Sequence, residues 1–135
     1  MYNNILIPIV FDHERDNSKG LQCAGILAGP DTEITLLHVI EKLPAYAMAY
    51  IPEDTSKNLK SELQAEMSSL LQDIPNAKGK IISGHAGRTI IDYANENAVD
   101  LIIIKSHRPG LQDYFLGSTA GYVVRHAKCA VHVIR

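Results

Sequence analysis

Five short apolar runs divide the chain: Ile5-Leu6-Ile7-Pro8-Ile9-Val10, Glu33 to Ile40, Lys80 to Gly84, Leu101 to Ile104 and Ala130 to Ile134. Runs of this length without polar alternation suit strands buried on both faces of a parallel sheet. The segments between them change period. Ser18 to Ala28 carries Leu21, Ala24, Leu27 and Ala28, and Thr55 to Asp73 carries Leu59, Leu63, Met67 and Leu70, with Ile74 continuing the stripe. Arg88 to Asn97 carries Ile90, Ile91 and Ala94, and Gly117 to His126 carries Ala120, Val123 and Val124. Each reads as a helix with one apolar face. Gly29-Pro30 is a stop signal for the first helix. The alternation predicts an α/β fold: a doubly wound open sheet of five parallel strands with four helices, joined by right-handed crossovers, in order 3-2-1-4-5. Residues 1–135 suit one domain. The long connection Glu41 to Asp54 holds Tyr46, Met48 and Tyr50, read as packing against a partner in preference to covering a ligand.

In such a sheet, ligands bind beyond the carboxyl ends of the strands, where the strand order reverses. For this order the crevice lies between the first and fourth strands. Ile9 to Asp12, Val39 to Glu41 and Lys105 to Ser118 converge there. Gly117-Ser118-Thr119 opens a helix with free backbone N–H groups and two hydroxyls, which suits an anion such as phosphate. Lys105, His107 and Arg108 bring positive charge to the same end. A plain helix cap at Gly117-Ser118 is the competing reading. The two are compatible.

Composition narrows the classes. A net charge of −2 argues against nucleic acid as a partner. Two cysteines, Cys23 and Cys129, far apart and outside any Cys-x-x-Cys pair, read as reduced thiols of a cytoplasmic protein. The apolar runs are too short to span a membrane, and the first residues lead directly into a strand without the shape of a signal peptide. No two of the six histidines have metal-ligand spacing within one element. His126, Cys129 and His132 fall three apart but straddle a helix end and a strand start, so no metal site is expected. There is no Gly-x-Ser-x-Gly elbow and no Walker lysine, so no catalytic residue is assigned. Cys129 reads as a small packed hydrophobe.

Some stretches carry a resemblance. Ile5-Leu6-Ile7-Pro8-Ile9, Leu37-His38-Val39, Leu116-Gly117-Ser118 and the whole run from Val124 to Arg135 resemble the universal stress protein family. Ser106-His107-Arg108-Pro109 is similar to its small enterobacterial single-domain branch. The resemblance implies the same five-stranded fold and a stress-response regulator. It also implies a homodimer through the last strand, residues 131–135, with tetramers as a further step. In many members ATP or another adenine nucleotide occupies the crevice. Adenine would then lie near the backbone of Val39, in a slot from Ile9 and Ile103, beside Pro8. The family's motif is Gly-x-x-Gly, nine residues, then Gly-Ser or Gly-Thr. Here the loop is aligned one residue shorter, with Lys105 and Arg108 at the glycine positions and Ser106-His107 on the family's Ser-His pair. Ser118 and Thr119 follow Gly117 as the phosphate-binding turn. The family's aspartate after the first strand, near ribose or metal, is Val10 here, with Asp12 the nearest substitute. Mg²⁺ therefore lacks its usual carboxylate. A scaffold module without nucleotide is the alternative reading, and a slow ATPase is the third.

Overall fold

In a computed structural model, which describes residues 2–11, 17–41, 45–50, 52–106 and 116–135, the apolar runs pair as one parallel sheet. Its strands are β1 (Tyr2–Pro8), β2 (Ala28–Ile40), β3 (Ala77–Ser83), β4 (Leu101–Lys105) and β5 (Ala130–Ile134), in order β3-β2-β1-β4-β5. The helices are α1 (Ser18–Leu27), α2 (Ala45–Met48), α3 (Glu53–Leu71), α4 (Ala86–Glu96) and α5 (Ser118–His126).

Topology and strand order match the sequence expectation. The helix count does not, because α2 is a fifth helix inside the connection read as irregular. Ala45-Tyr46-Ala47-Met48 holds no glycine, proline or β-branched residue. One turn is also too short to display a period. Tyr46 and Tyr50 are 77% and 86% exposed, so neither packs within the chain. β2 also begins earlier than expected, at Ala28, because α1 passes directly into strand pairing. The β1–β2 ladder is irregular between Tyr2 and Asn4. Buried Thr32 fastens that irregularity: its hydroxyl accepts from the Gly29 N–H at 2.8 Å and donates to the Tyr2 carbonyl at 2.6 Å.

Strand alternation sorts the core into two layers. Ile5, Ile7, Ile34, Leu36, Leu101 and Ile103 pack with Ala24 of α1 and Met67 of α3. Leu6, Leu37, Ile102 and Ile104 pack with Ile90 and Ala94 of α4 and Ala120 and Val123 of α5. Both faces of β4 are thereby covered, which is why its run is uniformly apolar.

The two halves of the sheet meet at β1 and β4, which pair only through Ile5–Leu101 and Leu6–Ile102. A carboxylate closes the amino end of this seam. Asp100 accepts from the N–H groups of Asn3 at 2.8 Å and Asn4 at 2.9 Å, and its own N–H donates to the Asn4 carbonyl at 3.0 Å. Hydrogen bonds to a charged acceptor are each worth roughly 1.5–3 kcal/mol. Two such bonds would sum to about 3–6 kcal/mol. Because the Asn3 bond is exposed to solvent, we expect Asp100→Ala to lower unfolding stability by about 2–4 kcal/mol, and Asp100→Asn, which keeps one acceptor, to cost less. Urea titration of the three proteins checks the order. Equal stabilities would remove the carboxylate from the account of the seam.

Candidate functional site

Beyond Leu6 and Ile102 the two central strands part. β1 stays with β2, since the Ile9 N–H donates to the Leu37 carbonyl at 2.9 Å. β4 stays with β5, since the Ser106 N–H donates to the Ile134 carbonyl at 2.8 Å. The two strands thus diverge at the carboxyl edge of the sheet, where the topology predicts a ligand crevice.

One wall is the segment after Pro8, the last residue of β1. His38 Nδ1 donates to the Ile9 carbonyl at 3.0 Å, and its ring lies 5.2 Å from that of Phe11, tilted by 52°. Val10 is clasped by a primary amide. Asn17 Nδ2 donates to the Val10 carbonyl at 3.0 Å, and the Val10 N–H reaches Asn17 Oδ1 at 3.4 Å. Asn17 stands at the cap position of α1 but makes no side-chain cap bond. Its amide holds the β1 turn instead. Sequence reading singled out neither Asn17 nor this role for His38. An asparagine just before a helix was the available signal, and by itself it points to a cap.

The other wall is the end of β4 and the start of α5. Lys105 is the last residue of β4, half-buried and registered with Ile134. By alternation from Ile103 it takes the α1–α3 face. Ser106 is 2% exposed, and its carbonyl accepts the Gly117 N–H. That bond ties the end of β4 to the start of α5. Gly117 is extended, at φ −60° and ψ 161°, and gives α5 no side-chain cap bond. Gly117 has no side chain, so the N-cap residue itself offers the first-turn N–H groups of α5 no acceptor. The positive end of the helix dipole faces the crevice mouth. Ser118 is exposed and Thr119 half-buried.

α5 is seated closely against α4. A Cβ on buried Gly87 would lie 2.7 to 2.9 Å from the Cδ1, Cγ and Cβ atoms of Tyr122, so only glycine permits this approach. His85 caps α4 by accepting the Arg88 N–H at 3.1 Å. His126 stacks on Tyr122 at 4.0 Å between ring centroids, and its Nδ1 donates to the Tyr122 carbonyl at 2.8 Å.

The expected adenine slot needs correction at its base. Ile103 is 0% exposed and Ile9 3%, because alternation turns both into the layer under α1 and α3. They form the floor beneath the crevice. Ile103 offers no surface to a ligand. Val39, half-buried and registered with Ile82, packs on the α4–α5 side. Asp12, His107 and Arg108 lie outside the described residues. Among the described residues no three His, Cys, Asp or Glu side chains of one chain converge as metal ligands. Cys129 packs against the α4–α5 layer. Burial chiefly, with the Asp100 charge adding to it against an opposing backbone hydrogen bond, pushes its thiol pKa up. That disfavours the nucleophilic thiolate. No described helix is long and apolar enough to cross a membrane.

Comparison with known proteins agrees with this architecture. The family model described as the universal stress protein family matches residues 1–135. The chain is 30% identical to universal stress protein G of Escherichia coli O157:H7, covering 100% of both chains. It is 31% identical to universal stress protein A homolog 2 of Coxiella burnetii (strain RSA 493 / Nine Mile phase I), covering 99% of this chain and 95% of that one. Among solved structures, the hypothetical protein MJ0577 superposes with a TM-score of 0.81 at 26% identity, over 99% of this chain and 96% of the other. Two structures that share the fold at lower identity are a universal stress protein in complex with cAMP, at 18%, and one from Archaeoglobus fulgidus in complex with dAMP, at 16%.

The Asn17 clasp has a measurable consequence. Removing two hydrogen bonds at about 1 kcal/mol each, Asn17→Ala should lower stability by about 1–2 kcal/mol. Amide exchange should also quicken at Val10, with β3 unaffected. Unchanged exchange at Val10 would mean that the amide does not hold this turn.

Proposed function

The chain belongs to the universal stress protein family, and from that premise we propose that it is a cytoplasmic regulatory protein that binds an adenine nucleotide in the β1–β4 crevice and works as a homodimer. The observation that carries the nucleotide reading is the amino terminus of α5, headed by Gly117 and tied through its N–H to the Ser106 carbonyl at the end of β4. A phosphate there would accept from the N–H groups of Ser118 and Thr119 and gain from the helix dipole. Relatives solved with cAMP and dAMP support an adenine monophosphate as the minimal ligand.

Lys105 decides how many phosphates fit. The family's glycine leaves space at this position. Lysine brings a four-carbon stem and a compact charge. With the stem turned outward, the ammonium meets phosphate. Turned inward, it fills the crevice, and the protein is the scaffold module of the alternative reading. The half-burial of Lys105 and the closed floor at Ile9 and Ile103 are the observations that favour that alternative. ATP hydrolysis ranks third, since Val10 stands in place of the metal-binding carboxylate.

Thermal shifts with ATP, ADP and AMP, each with and without Mg²⁺, separate these readings. A ligand at about 100 times its dissociation constant adds roughly 2.7 kcal/mol. We expect stabilisation by adenine nucleotides with little dependence on Mg²⁺. By calorimetry, Lys105→Gly should weaken ATP binding. Tighter binding would identify the lysine as an obstruction, and no shift with any nucleotide would leave the scaffold reading.

The dimer reading rests on the edge strand. Ile134 directs its carbonyl to Ser106 of the β4 side. In a parallel ladder the backbone groups of alternate residues face opposite ways. Ala130, His132 and Ile134 therefore bond towards β4, while Val131 and Val133 turn N–H and C=O away from the sheet. Such an open edge is an aggregation hazard unless it is paired, and a second copy running antiparallel across a two-fold axis would pair it. Val133→Pro deletes an outward N–H and no bond to β4. It should shift the protein from dimer to monomer in sedimentation equilibrium with its circular dichroism retained. An unsubstituted protein that is monomeric at micromolar concentration overturns the dimer.

A further inference from the structure

Cys23 and His132 lie far apart in the chain, yet Cys23 Sγ stands 3.5 Å from His132 Nε2. Cys23 is half-buried on α1, and His132 is exposed at the centre of β5. The alignment of α1 over the strand is consistent along its length, since a Cβ on Gly20 would lie 3.9 Å from Cδ1 of Ile134, the next residue on the same face. Cys129 belongs to the opposite face of the sheet, in the α4–α5 layer. The pair is therefore Cys23 with His132, and the local His126-Cys129-His132 spacing plays no part in it.

Two metal ligands are too few for a structural site, but they sit on the edge that the dimer reading pairs. Centring the two-fold axis on the middle of the five-residue strand sets Val131 against the partner's Val133. Their outward N–H and C=O groups then exchange hydrogen bonds. His132 meets the partner's His132 as a non-hydrogen-bonded pair, the closer kind, with Cα atoms about 4.5 Å apart and side chains on one face. Each histidine brings its own cysteine. Four soft or borderline ligands, two sulfurs and two nitrogens, then surround the axis, which is the donor set of a tetrahedral zinc centre. With Zn–S about 2.3 Å and Zn–N about 2.0 Å, adjacent S and N ligands of a tetrahedral zinc lie about 3.5 Å apart, which matches the 3.5 Å between Cys23 Sγ and His132 Nε2. Ile26, one helical turn beyond Cys23, is 84% exposed. An apolar side chain so open beside an unpaired edge fits a surface that a second copy covers.

We infer that two copies of this chain bind one zinc ion on their two-fold axis, through Cys23 and His132 of each. Binding replaces the two thiol protons, which pass to solvent, so occupancy falls as the pH is lowered. The inference rests on the dimer reading and is independent of the nucleotide.

Cobalt(II), which reports tetrahedral thiolate ligation by its absorption, is titrated into metal-free protein while sedimentation equilibrium follows the assembly state. Zinc competition is the second probe. The expected result is one cobalt per two chains, with thiolate charge-transfer and tetrahedral d–d bands that zinc bleaches. Cys23→Ser and His132→Asn should each abolish the bands, and Cys129→Ser should leave them unchanged. Dimers that form only with metal support the site equally. A dimer without stoichiometric cobalt, or with bands indifferent to Cys23 and His132, overturns the zinc site and leaves the dimer standing. One cobalt per chain also overturns it. A monomer under all conditions overturns both readings.

Discussion

Two residue pairs and one carboxylate join the halves of this sheet. Strands β1 to β3 form one ribbon and β4 with β5 another, and they touch through Ile5–Leu101, Leu6–Ile102 and the Asp100 clamp. The β2–β3 ladder, by contrast, runs in register from Ile34–Ala77 to Ile40–Ser83. Helices on both faces cover the ribbons with the two core layers. At the carboxyl edge no described residues pair β1 with β4, and the proposed ligand site lies at that separation. A longer β1–β4 ladder would strengthen the sheet and close the crevice.

Around this opening, polar side chains are spent on the backbone. Asn17 holds Val10 and His38 holds Ile9, while at the opposite, amino edge Thr32 does the same for Tyr2 and Gly29. Each compensates for a place where the chain leaves regular pairing. Buried backbone groups without partners would be costly. The first turn of α5 is headed by Gly117, which has no side chain to act as a cap. That glycine-headed helix end, beside the point where the β1–β4 ladder stops, is the structural argument for proposing a ligand at this place.

The sequence revealed those parts of the fold that local period can encode. Five apolar runs and their intervening stripes specified a doubly wound parallel sheet, and the order taken for it, 3-2-1-4-5, is the order found. The single turn of α2 escaped because four residues have no period. The early start of β2 escaped because Gly29-Pro30 correctly signalled the end of α1 and said nothing of what followed. At the candidate site, position in the chain placed Gly117 and Ser118 at the start of α5 and Lys105 at the end of β4. Asn17 and His38 were not, since their partners are set by tertiary contact. Ile103 could be placed at the crevice by number, yet its side chain turns beneath it, a matter of strand parity. Likewise, Cys23 and His132 share no motif. Their proximity follows from α1 lying over β1 and β4 and running antiparallel to the strands, so that Gly20 and Cys23 reach Ile134 and His132 of β5.

The seam has a kinetic side as well. Asn4 and Asp100 are separated by 96 positions, whereas the strands within each ribbon are joined by much shorter crossovers. Closing a long loop costs chain entropy before any contact rewards it. The ribbons can therefore gain structure separately, and their union is the step that must wait for the full length of chain. The proposed cleft, lying between the two ribbons, is complete only after that union, so a nucleotide bridging β1 and α5 would hold together two parts of the chain that lie far apart in sequence.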